Sequence, residues 1–317
     1  MWIELGNVEA IDKLSITMLE CICYILTHYY KYYVRINFTF SKNIVAEGIQ
    51  SSPLMLLKAN RVEDFEKKFL SEIYKNHYRK IIPATAAFSG ELCIIMSDID
   101  SFLKLFNVEE DYRDAISEVI VELAGNASEH GNSDCLVDID VTSIYCKRDA
   151  GGVYRGLNLS LLNFSESLMG TALQEKIKLG DLGESRYNIV KTALHNHSRF
   201  FDDQYFESDF FMVAAFQDKI SSRKNNVASG GTGLTKLICS LEERSEAHTC
   251  YVIGGNRKMS FVHEYLEYDA DGWIGFNKSH DFINTRPDTS IFSSIPVYFP
   301  GTAYNLNFVM KENDNEY

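Results

Sequence analysis

The sequence predicts an α/β protein, and three observations carry that reading. Stretches with apolar residues at helical spacing, such as Ile116, Val119, Ile120 and Leu123, alternate with strand-like runs such as residues 33–40 (YVRINFTF). Two apolar runs, 135–145 and 156–163, flank a turn carrying Lys147, Arg148, Asp149, Gly151 and Gly152, the pattern of a hairpin. The chain has 317 residues, 45% hydrophobic and 24% charged, enough to bury a sizeable core.

The elements follow in order. Residues 8–31 read as a helix, with Ile11, Leu14, Met18, Leu19 and Ile25 near helical period. Residues 33–40 read as a strand, 62–78 as a second helix and 92–96 as a short buried strand. Ser51-Ser52-Pro53 and the SDIDSF run at 97–102 read as turn and cap chemistry rather than metal ligands. Together these suggest a small α/β domain over residues 1–104, which carries no motif of known chemistry.

A second domain is expected over 105–311. It opens with the helix containing Glu122 and continues through the hairpin. Residues 168–230 form a polar, largely helical stretch that suits a lid, and Phe200, Phe201, Tyr205, Phe206, Phe210 and Phe211 within it suit a core or a partner surface. Residues 221–231 read as a loop and 234–244 as a helix. Strands are expected at 248–254, 259–263 and 304–310, before an acidic tail at 312–317.

The formal net charge of −13 argues against a nucleic-acid backbone as main partner, because phosphate contacts need clustered Lys and Arg. Seven cysteines, none spaced CxxC, suit buried thiols in a reducing compartment. No secretory signal or membrane-spanning run is apparent, so a cytoplasmic protein is expected.

Two motifs carry chemistry. In Glu122-Leu-Ala-Gly-Asn126-Ala-Ser-Glu-His130-Gly131, the residues Glu122, Asn126 and His130 recur every four positions and line one helical stripe. A carboxylate, an amide and an imidazole so aligned suit water activation, a divalent ion and a phosphate; a plain polar helix face is the alternative. The second motif, Ser229-Gly230-Gly231-Thr232-Gly233-Leu234, runs into a helix, where glycines admit an anion to the amides of the helix start. It is neither a P-loop nor GxGxxG.

In order and spacing the two motifs resemble the GHKL ATPase superfamily (gyrase-type ATPases, heat-shock chaperones, histidine kinases and MutL). Gly301-Thr302 before the last strand completes the pattern. The His130-Gly131 ending is most similar to the anti-sigma-factor serine kinases, and the resemblance covers roughly residues 105–311. It implies a Bergerat-type α/β sandwich with a mixed sheet and a helical lid. It also implies ATP and Mg²⁺ as cofactors, with Glu122 as general base, Asn126 as Mg²⁺ ligand and His130 near the phosphates. Gly230, Gly231, Thr232, Gly233 and Leu234 would form the phosphate cradle, and Thr302 would complete the nucleotide site.

One box departs from the pattern. Where the family has Asp-x-Gly-x-Gly, this chain has Asn163-Phe164-Ser165-Glu166-Ser167, so base recognition through Asn163, with Ser165 beside it, should be less selective. Asp181 is the rival for that role. Arg223 and Lys224 are either solvated loop residues or phosphate contacts in a closed lid. His195-Asn196-His197 reads as structural rather than metal-binding, and Asp269-Ala-Asp271-Gly272 as a turn.

The expected function is Mg²⁺-dependent ATP binding with slow hydrolysis, used as a switch read by a protein partner or a second copy. A serine/threonine kinase of the anti-sigma type is the first alternative, and a non-catalytic binding module the second.

Overall fold

A computed structural model describes residues 1–8, 12–40, 52–71, 73–145, 151–180, 185–220, 233–245 and 250–313. Helices and strands share one body, so the α/β class holds. The chain starts with β1 (Trp2–Val8), which 8–31 as a helix did not anticipate. Then comes α1 (Lys13–Tyr24), N-capped by Asp12, whose side chain accepts from the Ser15 amide. It runs on as a π-helical turn, Ile25–Tyr29. The strand β2 (Arg35–Phe40) pairs in parallel with β1, making a separate two-stranded sheet.

Two short helices follow, α2 (Leu54–Lys58) and α3 (Val62–Phe69). Ser52 Oγ accepts from the Leu54 amide, the turn chemistry expected there, while Pro53 at the helix N-cap makes no side-chain cap bond. The expected helix over 62–78 stops at Phe69. The chain turns instead at Lys75, whose φ of 55° is left-handed, to form the hairpin β3 (Ile73–Tyr74) and β4 (His77–Ile82).

Residues 92–96 are not a strand, and 97–102 is not a cap. After α4 (Ala86–Ser89), both lie inside the helix α5 (Glu91–Lys104). Its buried residues Ile95, Ile99, Phe102 and Leu103 fall four, three and one apart, a helical face that a five-residue window cannot reveal.

Next comes α6 (Glu110–Asn126), then the hairpin β5 (Cys135–Tyr145) and β6 (Tyr154–Phe164). Three helices, α7 (Thr171–Leu179), α8 (Ser185–His197) and α9 (Glu207–Ala215), precede α10 (Gly233–Arg244). The strands β7 (Tyr251–Ser260) and β8 (Phe292–Lys311) end the described fold; β7 merges the two strands expected at 248–254 and 259–263.

The main sheet has the order β3-β4-β5-β6-β8-β7, and every neighbouring pair in it is antiparallel. The expected mixed sheet is therefore replaced by an antiparallel one, with the parallel pair β1–β2 set apart. Sheet pairing also crosses the expected domain boundary at 104/105, since β4 pairs with β5 from Ile82↔Cys135 to His77↔Asp140.

Alternation along the strands sorts the sheet's two faces. Val137, Ile139, Leu159, Leu161, Tyr304, Leu306 and Phe308 join the core that contains the buried faces of α5, α6 and α10. The opposite face presents Leu136, Leu162 and Ala303 to a second cluster with Leu14, Ile36, Phe65 and Phe69. The N-terminal elements thus cover the sheet's second face. The expected lid is mostly core: Leu173, Ile177, Tyr187, Val190, Phe210, Phe211 and Val213 of α7–α9 are all buried in the larger cluster.

Candidate functional site

One face of α6, with Ile116, Val119, Ile120, Leu123 and Ala124, is buried against the sheet. Glu122 and Asn126 lie on the half-exposed flank. Among the described residues, neither side chain has a hydrogen-bond or ion-pair partner. Gly125 between them faces Leu92 on α5, where a β-carbon would stand at 3.4 Å, an ordinary contact. After Asn126 the helix widens into a π-helical turn, Ala127–Gly131, closed by Asn132 in the left-handed region. His130 falls in this turn. Turns of this kind recur at functional sites.

The helix α10 lies antiparallel beside α6. Lys236 near its start meets Glu118 at 2.9 Å, while Arg244 at its end stacks over Tyr112, 5.2 Å from the ring centre. The start of α10, at Gly233 and Leu234, lies just before Lys236. The amides at a helix start carry the positive end of its dipole, which suits an anion held between the two helices. Gly230, Gly231, Thr232, Asp181, Arg223 and Lys224 lie outside the described residues.

The strand ends form the other half of the site. Cys135, Asn163 and Thr302 are direct neighbours across β5, β6 and β8. Asn163 and Ser165 are buried, and Thr302 is half-buried. Asn163 Nδ2 donates to Ser133 Oγ at 2.9 Å, and Ser165 Oγ donates to the Gly131 carbonyl at 3.0 Å. The end of the Glu122 helix is thereby tied to the strand end carrying Asn163. Gly301, with φ of 110°, lets β8 pass Asn163 so closely that a β-carbon would lie 2.1 Å from its carbonyl oxygen. Neither Ser133 nor Lys236 stands out in the sequence; Gly301 does, through the Gly-Thr pair.

A second polar cluster lies on the far face of the sheet, unsignalled by any motif. His77, Asp138 and Asp140 are the one group of three potential metal ligands among the described residues. A cation is already there: Lys13 Nζ lies 2.5 Å from Asp138 Oδ1 and pairs with Asp140 as well. Arg79 Nε donates to Asp138 at 2.6 Å, and Arg79 also bonds Glu20. Burial alone would raise the Asp138 pKa, but Arg79, Lys13 and His77 overcome it and hold the carboxyl well below its usual range. This network fastens α1 to β4 and β5.

His197 is a core residue. Its Nδ1 lies 2.8 Å from the Tyr205 hydroxyl and its Nε2 2.8 Å from the Phe282 carbonyl, so both ring nitrogens are engaged. Asp269 Oδ1 accepts from the amides of Asp271 and Trp273, which makes 269–273 a turn. Of the described cysteines, Cys21, Cys23, Cys135 and Cys250 are buried thiols and Cys93 is exposed. No described helix is long and apolar enough to cross a membrane. Comparison with protein-family models, curated proteins and solved structures gave no match to the chain.

Proposed function

We propose that this chain is a GHKL-type nucleotide-binding protein that binds Mg²⁺·ATP between α6, α10 and the ends of β6 and β8, and hydrolyses it slowly as a switch. The observation that carries the reading is the antiparallel packing of α10 on α6. It sets α10, a helix that follows a glycine-rich run, beside the helix that carries Glu122 and Asn126, two side chains without partners among the described residues. In this reading the α10 amides and Asn126 hold the phosphates and the metal. Mg²⁺ supplies charge neutralisation when bound. Glu122 orients and deprotonates the attacking water, and Asn163 meets the base. A serine or threonine hydroxyl of a partner protein in place of water would make the same site a kinase.

The non-catalytic alternative draws support from one feature. Asn163 is buried and bonded to Ser133 where the resemblance calls for a free acidic acceptor. Isothermal titration with Mg²⁺ and a non-hydrolysable ATP analogue tests the proposal, with ADP, GTP and GDP in parallel. Binding that Asn126→Ala removes supports the nucleotide site. Absence of binding by any nucleotide at millimolar concentration overturns it.

A further inference from the structure

Three potential metal ligands converge beneath α1, on the sheet face away from the nucleotide reading. Asp138 and Asp140 stand two apart on β5, so both point to one face, and His77 on β4 is the direct cross-strand neighbour of Asp140. His77 Nε2 and one oxygen of each carboxylate all lie within 4.8 Å of one another. Ligands held at about 2.0–2.2 Å from one ion stand up to about 4 Å apart, so small side-chain turns bring all three onto it. Asp138 is 0% exposed and Asp140 9%, which sets the pair apart from ordinary surface carboxylates.

Two orphaned groups point to a ligand there. In the cross-strand row Arg79–Asp138–Ser160, both neighbours of Asp138 keep a buried polar atom without a partner among the described residues. These atoms are Arg79 Nη1 and Ser160 Oγ, on residues 3% and 0% exposed. Ser160 faces the same side as Asp138, because Leu159 and Leu161 beside it face the main core. Burial without a partner is costly, and the water carried by a hydrated ion offers the oxygen that a guanidinium N–H and a hydroxyl both need.

Lys13 marks where the ion would lie. Its Nζ sits between the two carboxylates, 2.5 Å from Asp138 Oδ1 and paired with Asp140. The Lys13 side chain is 11% exposed, so it reaches water at the rim and can swing out. Without its ammonium, Glu20, Asp138 and Asp140 face the Arg79 guanidinium, three carboxylates against one cation. A divalent ion matches the surplus of two negative charges. The imidazole in the donor set favours a first-row transition ion over Mg²⁺ or Ca²⁺.

We propose that His77, Asp138 and Asp140 bind a divalent transition-metal ion such as Zn²⁺, with Lys13 as a built-in competitor that the ion displaces. On binding, the ion takes the place of the ammonium, and the His77 ring carries its proton on Nδ1 so that Nε2 can ligate. Isothermal titration of the full chain with Zn²⁺ up to about 100 μM, without nucleotide, tests it. One Zn²⁺ per chain is expected, weakened at least about tenfold in His77→Gln. Lys13→Met, which removes the ammonium and keeps an apolar stem, should bind about tenfold more tightly. Cys93→Ser, at an exposed thiol, should bind as wild type does, and Co²⁺ in place of Zn²⁺ should give no thiolate absorption band. Circular dichroism checks that each variant is folded, and Asp140→Asn replaces His77→Gln if that chain does not fold. No binding by wild type overturns the proposal, as does binding that appears only in Lys13→Met. Binding indifferent to the His77 or Lys13 substitution, or lost in Cys93→Ser, overturns it equally.

Discussion

Gly301, whose partner across the ladder is Phe164, backs onto the carbonyl of Asn163, with room for hydrogen but not for a methyl group. Gly301→Ala would set a β-carbon 2.1 Å from a backbone oxygen at a φ of 110°. Strain at such a position costs about 1–3 kcal/mol before the overlap is relieved. A loss of at least about 3 kcal/mol is expected by urea unfolding, together with a change in nucleotide binding if any protein folds.

Glu122→Gln separates binding from turnover. Removing the proposed base while keeping its shape should lower phosphate release by roughly 10²–10⁴-fold. Nucleotide affinity should stay within a few-fold in the same titration. Equal release by wild type and variant would assign the turnover to a contaminant or to another residue.

Asn163→Asp tests the base end. The amide can offer its oxygen or its NH₂ group, and the Ser133 hydroxyl can serve either orientation. A carboxylate can only accept. The variant should therefore gain ATP over GTP selectivity by about tenfold, or 1.4 kcal/mol, in competitive titration. An unchanged ATP/GTP ratio would remove Asn163 from base recognition.

Asp138 anchors the N-terminal layer. In Asp138→Asn the buried Arg79 and Lys13 lose a shared carboxylate, and about 3–5 kcal/mol of stability should go with it. Because the folded-state pKa of Asp138 is depressed, its contribution is complete above the ordinary carboxylate value of 3.8 and is lost as pH falls below it. Acid unfolding of wild type should steepen in that window, and the variant should lack that component.

His197 acts at milder acidity. Burial, only partly offset by the Phe282 carbonyl and Asp281, lowers its pKa below the usual 6.5. The unfolded chain then binds the proton first, so stability is full above pH 6.5 and declines as pH falls from there towards the folded-state value. Thermal melts across this range should show the decline, and His197→Gln should flatten it.

What could be read from the sequence was local. The helix of Glu122, the hairpin after it and the last strand follow from periodicity and turn chemistry, which act between residues a few positions apart. The Glu122–Asn126 stripe was legible for the same reason. Residues 92–96 read as a strand because five apolar residues fit a strand or a helix, and packing of α5 on α6 decides between them.

Tertiary structure alone decided the rest. Pairing across the 104/105 boundary, the antiparallel sheet and the burial of α7–α9 depend on contacts between distant residues, which no local pattern encodes. The tie between Asn163 and Ser133 spans 30 residues, and that between Asp138 and Arg79 spans 59. Each forms because burial leaves a polar group no water to bond, so the fold must bring it a partner.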